Sequence, residues 1–173
     1  DHCSIDFDIF YDGQKKESIK GAPLLILTTD GKGIVMRPEG LREETRKRAE
    51  KSTRKMRTRL TRGEKTNRKR MAQVASVYAI GRFKRKPEDI IDELARRKAS
   101  LRRPRPIQKR VWASVEKDAG AVIKSMFEEA KKRDPRHKKE WVVLVDGHKQ
   151  QLHLIKLFAR KFGSSPTIIL DII

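Results

Sequence analysis

The spacing of apolar and polar positions divides this chain into short elements of different period. Residues 24–29, Leu-Leu-Ile-Leu-Thr-Thr, are apolar and β-branched, follow Gly21-Ala22-Pro23, and predict a buried strand. Asp30-Gly31-Lys32-Gly33 has strong turn chemistry, and Ile34-Val35-Met36-Arg37 reads as a returning strand, so a hairpin is expected over 24–37. Residues 71–81 alternate small and β-branched side chains and predict a third strand. Pro87 with Glu88 and Asp89 opens a short helix, acids in its first turn as the helix dipole favours. Residues 101–110 are basic and kept extended by prolines, while 111–115 fit a strand or a helix. Ala119, Val122, Ile123, Met126, Phe127 and Ala130 make a 3-4-3-4 stripe, hence a helix over 118–133 that Asp134-Pro135 stops. Residues 141–145 form the clearest strand, closed by Asp146-Gly147. An amphipathic helix over 150–162 ends at Gly163, and 166–170 is a final strand. The expected order is β-β-β, short helix, helix, β, helix, β, an α/β chain with a mixed sheet and no internal repeat.

One long segment breaks the pattern. Residues 41–70 have helix-forming composition, yet their apolar positions are only Leu41, Ala49, Met56 and Leu60. A segment of that kind cannot bury a face by itself. It carries 14 basic and 4 acidic residues, half of the chain's net charge of +20. A solvated helix is expected at its start, leading into a basic arm. Charge of this size on one chain points to a polyanionic partner, with nucleic acid the leading class. An anionic membrane surface fits less well, because the basic stretches lack the aromatic and Leu-rich face of an interfacial helix. The longest apolar runs, 22–27 and 167–173, are far short of the roughly 20 residues a membrane-spanning helix needs. The single cysteine, Cys3, excludes an internal disulfide framework and a cysteine-built zinc site. No signal-peptide pattern opens the chain, and a reducing cytosol is the expected compartment. With no initiator Met and an apolar final strand, the chain reads as an excerpt of a longer protein.

Two strands end in the same dipeptide, Asp30-Gly31 and Asp146-Gly147. Helix-strand-helix-strand segments make right-handed crossovers and parallel neighbours, and functional groups in such sheets gather beyond the carboxyl ends of strands. If the strands bearing Asp30 and Asp146 are adjacent, their ends lie about 4.8 Å apart. Carboxylates that close repel unless a proton or cation lies between them. Hard oxygen donors favour Mg²⁺ or Mn²⁺ over zinc, and divalent ions so held activate water against a phosphodiester. The glycine after each Asp leaves room for a phosphate backbone. The competing explanation is that Asp-Gly after a strand is an ordinary turn.

Other motifs carry less. His148 and His153 are five apart, which is not the spacing of a helical metal pair. Asp6, Asp8 and Asp12 alternate with aromatics and read as solvated. Gly31-Lys32-Gly33 is too short for a phosphate-binding P-loop. Ser114 has no His–Asp partners in view, and Trp112 and Trp141 read as core or cleft-floor residues.

Residues 27–47 (Leu-Thr-Thr-Asp-Gly-Lys-Gly-Ile-Val-Met-Arg-Pro-Glu-Gly-Leu-Arg-Glu-Glu-Thr-Arg-Lys) resemble the first-aspartate region of a bacterial insertion-sequence transposase family of the ISKra-four type. Residues 68–78, 109–114, 141–147 and Gln150-Gln151-Leu152 are similar to the same family, so the likeness runs over nearly all of 24–173. It implies a DDE-class transposase with a ribonuclease-H-like core of three antiparallel strands followed by helix-strand-helix-strand. Asp30 and Asp146 would be the first two acidic ligands of Mg²⁺ or Mn²⁺ and the catalytic residues. Asp171 matches the Asp of the family's Asp-x-x-His motif, and the third ligand, a Glu, would lie beyond this chain. The implied reaction is metal-assisted strand cleavage by water, then attack of the freed 3′-hydroxyl on target DNA.

Arg54, Lys55, Arg57, Arg59, Arg62, Arg68, Lys69 and Arg70 would grip DNA phosphates without reading bases. Residues 1–22 would be a linker or the end of a preceding region. Residues 23–173 would be a truncated catalytic core with a basic insertion at 41–70 and a second at 82–117. The expected partners are transposon-end and target DNA, with no membrane and with homo-oligomers of the full-length protein; the expected location is the bacterial cytoplasm, at the nucleoid. Two alternatives stand beside the transposase: a non-catalytic basic nucleic-acid-binding protein, and another Mg²⁺-dependent nuclease.

Overall fold

The computed structural model describes residues 9–10, 13, 22–51, 68–95 and 102–171. Its five strands form one mixed sheet in the order β3-β2-β1-β4-β5. They are β1 (Leu24–Val35), β2 (Lys69–Ile80), β3 (Ile107–Ser114), β4 (Glu140–Val145) and β5 (Thr167–Leu170). β1 pairs antiparallel with β2, and β2 with β3. β4 lies parallel to β1, and β5 parallel to β4. The helices among the described residues are α1 (Glu43–Glu50), α2 (Pro87–Leu94), α3 (Ala119–Arg133) and α4 (Lys149–Lys161), with a 3-10 turn at Pro38–Gly40. No helix among the described residues is long and apolar enough to cross a membrane.

The core lies on one face of the sheet, where strand alternation meets helical stripes. Leu25 and Leu27 of β1, Ala75 and Val77 of β2, and Trp141, Val143 and Val145 of β4 pack against Val122, Ile123, Met126, Phe127 and Ala130 of α3. Ile155, Phe158 and Ala159 of α4 complete the cluster. Phe127 is fully buried at its centre, with ring centroids 6.4 Å from Trp141, 6.4 Å from Phe158 and 5.9 Å from Phe162. The stripe that predicted α3 is therefore the stripe that faces the sheet. Asp118 caps α3 by accepting from the Ala121 amide at 2.7 Å, and Lys131, Lys132 and Arg133 close its last turn.

Two buried polar ties lock α3 in place. Glu129 accepts from Arg110 of β3 at 2.9 Å and from Arg133 at 2.7 Å. Arg133 also donates to the carbonyls of Gln108, at 2.6 Å, and Val77, at 3.1 Å. Those carbonyls flank the register shift between β2 and β3, where Gln108 has φ of +50°. Asp134, just past α3, accepts from Trp141 Nε1 at 2.9 Å and from the amides of Lys138 and Lys139 at 2.8 and 2.9 Å. The end of α3 is thereby fixed to the start of β4.

The expected hairpin over 24–37 is not present. β1 runs without a break through Asp30-Gly31-Lys32-Gly33, pairing residue by residue with β2 from Leu24↔Ile80 to Val35↔Lys69. Neither Gly31 nor Gly33 has the positive φ of a tight turn. A continuous partner strand outweighs local turn propensity, because each residue in the ladder has a backbone partner that a turn would forfeit. The third antiparallel strand is β3, which joins the end of the extended basic stretch 101–110 to most of 111–115, the residues that fitted a strand or a helix. The segment expected as a second insertion, 82–117, thus supplies an edge of the sheet. Within the expected basic insertion, 43–50 is helix α1 and 69–70 begins β2, while 52–67 lies outside the described residues.

Candidate functional site

The parallel pairing of β1 with β4 runs from Leu24↔Glu140 to Thr28↔Leu144. Carried two residues further, that register sets Asp30 level with Asp146. The pairing of β4 with β5 ends at Val145↔Leu170, so one further step sets Asp171 level with Asp146. The Asp171 amide donates to the Val145 carbonyl at 2.7 Å and continues the ladder. Three exposed aspartates therefore stand in a row across three neighbouring parallel strands, Asp30 within β1 just past the end of its pairing with β4, and Asp146 and Asp171 just past the ends of β4 and β5. They line one cavity of about 450 Å³ together with Thr28, Thr29, Leu144 and Val145.

Local chemistry holds each member. Asp30 is a mid-strand residue of β1, opposite Val74 of β2, and not a turn residue. Just before it, Thr28 and Ser76 share a hydroxyl hydrogen bond of 2.6 Å. Buried Thr29 accepts from Gln73 Nε2 at 2.7 Å and donates to the Val74 carbonyl at 3.2 Å. Asp146 caps its own turn, accepting from the His148 amide at 3.1 Å. Gly147, with φ of +84°, turns the chain from β4 into α4, a backbone region that a side chain would strain. These threonine, serine and glutamine contacts escaped the sequence reading; polar residues ending a strand that otherwise points into the core are the signal that could have found them.

Among the described residues, no three His, Cys, Asp or Glu side chains converge into a metal-binding group. Mg²⁺ does not require one: it commonly takes one or two carboxylates, with waters and substrate phosphates completing its shell. Oxygen donors on a roomy, open cavity fit that mode and do not fit a closed structural zinc site. His148 and His153 are both exposed, on opposite sides of the first turn of α4.

The expected phosphate grip divides in three. Arg54, Lys55, Arg57, Arg59 and Arg62 lie outside the described residues. Lys69 is exposed and Arg68 half-buried where β2 begins. Arg70 is instead an internal tie: it bonds Glu116 at 3.0 Å and the Gly40 carbonyl at 3.4 Å, with its side chain only 17% exposed. Lys32, two residues past Asp30, is a further exposed cation that the reading of the chain did not single out.

A second cavity of about 370 Å³ lies between β3 and α3, lined by Arg110, Trp112, Lys117, Glu128, Glu129 and Lys132. It carries both signs of charge, and its wall is the Arg110–Glu129 tie. Trp112, which donates to Ser125 at 3.1 Å, is its floor, and Trp141 is core. Burial raises the Tyr78 hydroxyl above its ordinary pKa, and the Lys109 ammonium lies 5.6 Å from that ring.

Comparison with protein-family models, curated proteins and solved structures yields no match. Among the described residues the chain is defined by its α/β architecture, a five-stranded mixed sheet, and by the row of carboxylates across its three parallel strands.

Proposed function

We propose that this chain is the central part of a ribonuclease-H-like catalytic domain of a DNA transposase, in which Asp30 and Asp146 hold a divalent cation against a phosphodiester. The observation that carries this reading is the shared cavity of Asp30, Asp146 and Asp171 at one level of three adjacent parallel strands. The strand order, with the antiparallel run β1-β2-β3 on one side and the parallel strands β4 and β5 on the other, supports it as well. So do the +20 charge and the exposed cation Lys32, two residues past Asp30.

In this proposal Asp30 and Asp146 bind and orient the cation, and Asp171 adds negative charge at the same rim. Asp30 and Asp146 would hold Mg²⁺, which would supply activation of water and relief of charge on the phosphate. Thr28 and Thr29 fix the angle at which β1 presents Asp30, through their bonds to Ser76 and β2. Lys69, with the basic stretch before it, positions the DNA through its phosphates. Water would break the bond between phosphorus and the 3′-oxygen, leaving a 3′-hydroxyl and a 5′-phosphate; that 3′-hydroxyl would then bond to a target phosphorus as the target's own 3′-oxygen leaves and takes up the proton. The full-length protein in the bacterial cytoplasm would act on transposon ends and target DNA, as an oligomer.

The lack of a converged three-group metal site among the described residues favours a second reading, a basic nucleic-acid-binding module without catalysis. Mn²⁺ titration followed by electron paramagnetic resonance separates the two. The enzyme reading expects saturable Mn²⁺ binding by this chain that Asp30→Asn and Asp146→Asn each weaken at least tenfold. Binding that both variants leave unchanged would leave only the module. A Mg²⁺-dependent nuclease is distinguished by the products of the full-length protein on supercoiled DNA, cut ends without strand transfer.

A further inference from the structure

The side chains that line the carboxylate cavity are acceptors or apolar, with one exception. Ionised Asp30, Asp146 and Asp171 can only accept hydrogen bonds, and Leu144 and Val145 bring no polar side chain. Thr29 has its hydroxyl proton engaged, donating to the Val74 carbonyl at 3.2 Å. Among the described residues of the wall, that leaves Thr28. It lies two positions before Asp30 on β1, on the same face of the strand and roughly 7 Å along it.

Whether Thr28 has a proton to offer depends on Ser76. The two residues stand opposite each other in the β1–β2 ladder, and their hydroxyl oxygens are 2.6 Å apart. Each hydroxyl carries one proton, and the bond between them uses only one of the two. Ser76 is 5% exposed, so a proton left over on it would be buried without an acceptor and penalised. Thr28 is half-buried on the cavity wall, where water or a ligand can accept from it. Ser76 is therefore the donor of the pair and Thr28 the acceptor, and the Thr28 proton remains available to the cavity.

We infer that Thr28 donates to a non-bridging oxygen of the DNA phosphate that a divalent cation draws into this cavity, with Ser76 as the positioning residue that orients the Thr28 hydroxyl. The inference rests on the catalytic reading above and assigns a substrate contact within it. Three carboxylates repel a phosphate, so the contact forms only with the cation in place. A neutral hydroxyl suits this position. A lysine ammonium there would pair with Asp30 or Asp146 and compete with the cation, whereas a hydroxyl adds a donor for the phosphate and leaves the carboxylates to the metal.

The test measures binding of a fluorescein-labelled five-nucleotide oligo-dT to the whole chain by anisotropy, without metal and with saturating Mn²⁺. Saturation is set for each variant by its own electron paramagnetic resonance titration. Mn²⁺ is expected to raise the affinity of the unaltered chain. Thr28→Val removes the hydroxyl and keeps a β-branched strand residue. It should weaken binding in Mn²⁺ about tenfold, the low end of what one hydrogen bond to a charged group supplies, and leave binding without metal unchanged. Thr28→Ser keeps a donor and should bind as the unaltered chain does. Ser76→Ala breaks the same Thr28–Ser76 bond but leaves Thr28 its proton, so its loss should be the smaller one. Thermal melting checks that the variants fold, and Thr28→Ala repeats the measurement should Thr28→Val fail to. Affinity that Mn²⁺ does not raise, no loss in Thr28→Val, a loss of equal size without metal, or equal losses in Thr28→Val and either Thr28→Ser or Ser76→Ala would each overturn the Thr28 contact alone. Absence of saturable Mn²⁺ binding by the unaltered chain overturns the catalytic reading together with it.

Discussion

Thr28 stands opposite Leu144 in the parallel pairing of β1 with β4, two residues short of Asp30 on one strand and of Asp146 on the other. That equality of distance brings carboxylates 116 positions apart in sequence to the same level of one cavity. A shift of one residue would send one of them to the opposite face.

Carboxylates gathered without a cation repel, so a divalent ion should stabilise the fold. Millimolar Mg²⁺ is expected to raise the melting temperature, by the few degrees that about 2.7 kcal/mol represents when the ion exceeds its dissociation constant about a hundredfold. Asp146→Asn keeps an acceptor for the His148 amide, so it should fold normally and lose this Mg²⁺ response. Calorimetry with and without Mg²⁺ checks both statements, and a response that persists in Asp146→Asn counts against the site.

Salt should separate the cations by role. Lys69→Ala is expected to lower the slope of log affinity for duplex DNA against log salt by about 0.9, the value of one phosphate contact. Arg70→Ala should instead lower the melting temperature, because it frees Glu116 and the Gly40 carbonyl. Equal effects of the two variants on the slope would contradict this division.

Glu129 is 4% exposed between Arg110 and Arg133. Glu129→Ala leaves two guanidinium groups against the core without their shared carboxylate and should cost about 3–5 kcal/mol. Replacing all three by apolar residues of similar volume should restore much of that loss. Urea unfolding midpoints provide the comparison.

Asp134 gives the fold an acid-sensitive tie. Burial alone would raise its pKa, but the bonds from Trp141 and the Lys139 and Lys138 amides, with His137 nearby, outweigh burial and hold the carboxyl below its ordinary value. A carboxyl lowered on folding contributes stability that is fully present above its unfolded pKa of about 3.9 and is lost as pH falls through the folded value. Asp134→Asn should therefore cost about 1–3 kcal/mol at neutral pH and flatten the fall in stability below about pH 4. Urea midpoints measured across the acid range test the slope; an unchanged profile would refute the assignment.

Much of this was open to inspection in the sequence because it depends on short-range period. The α3 stripe, the amphipathic α4, the β4 run and the Pro87 helix start are patterns of neighbours, and the first three mark the faces that meet in the core. The two Asp-Gly dipeptides were likewise visible. What the local pattern misjudged was Asp30-Gly31-Lys32-Gly33, whose residues favour a turn in isolation but are held extended by twelve paired positions of β2. Residues 111–115 fitted a strand or a helix because an edge strand with alternate positions exposed, as β3 is, has little apolar content of its own.

Composition and periodicity thus determined, by themselves, the charge, the helices, the central strands and the acidic residues worth examining. Only the tertiary structure decided that Asp30, Asp146 and Asp171 share a level and that Arg70 is a tie. The physical reason is range. A helical stripe is written in residues three or four apart, whereas strand register and side-chain pairing across more than a hundred residues are fixed by how the whole core packs.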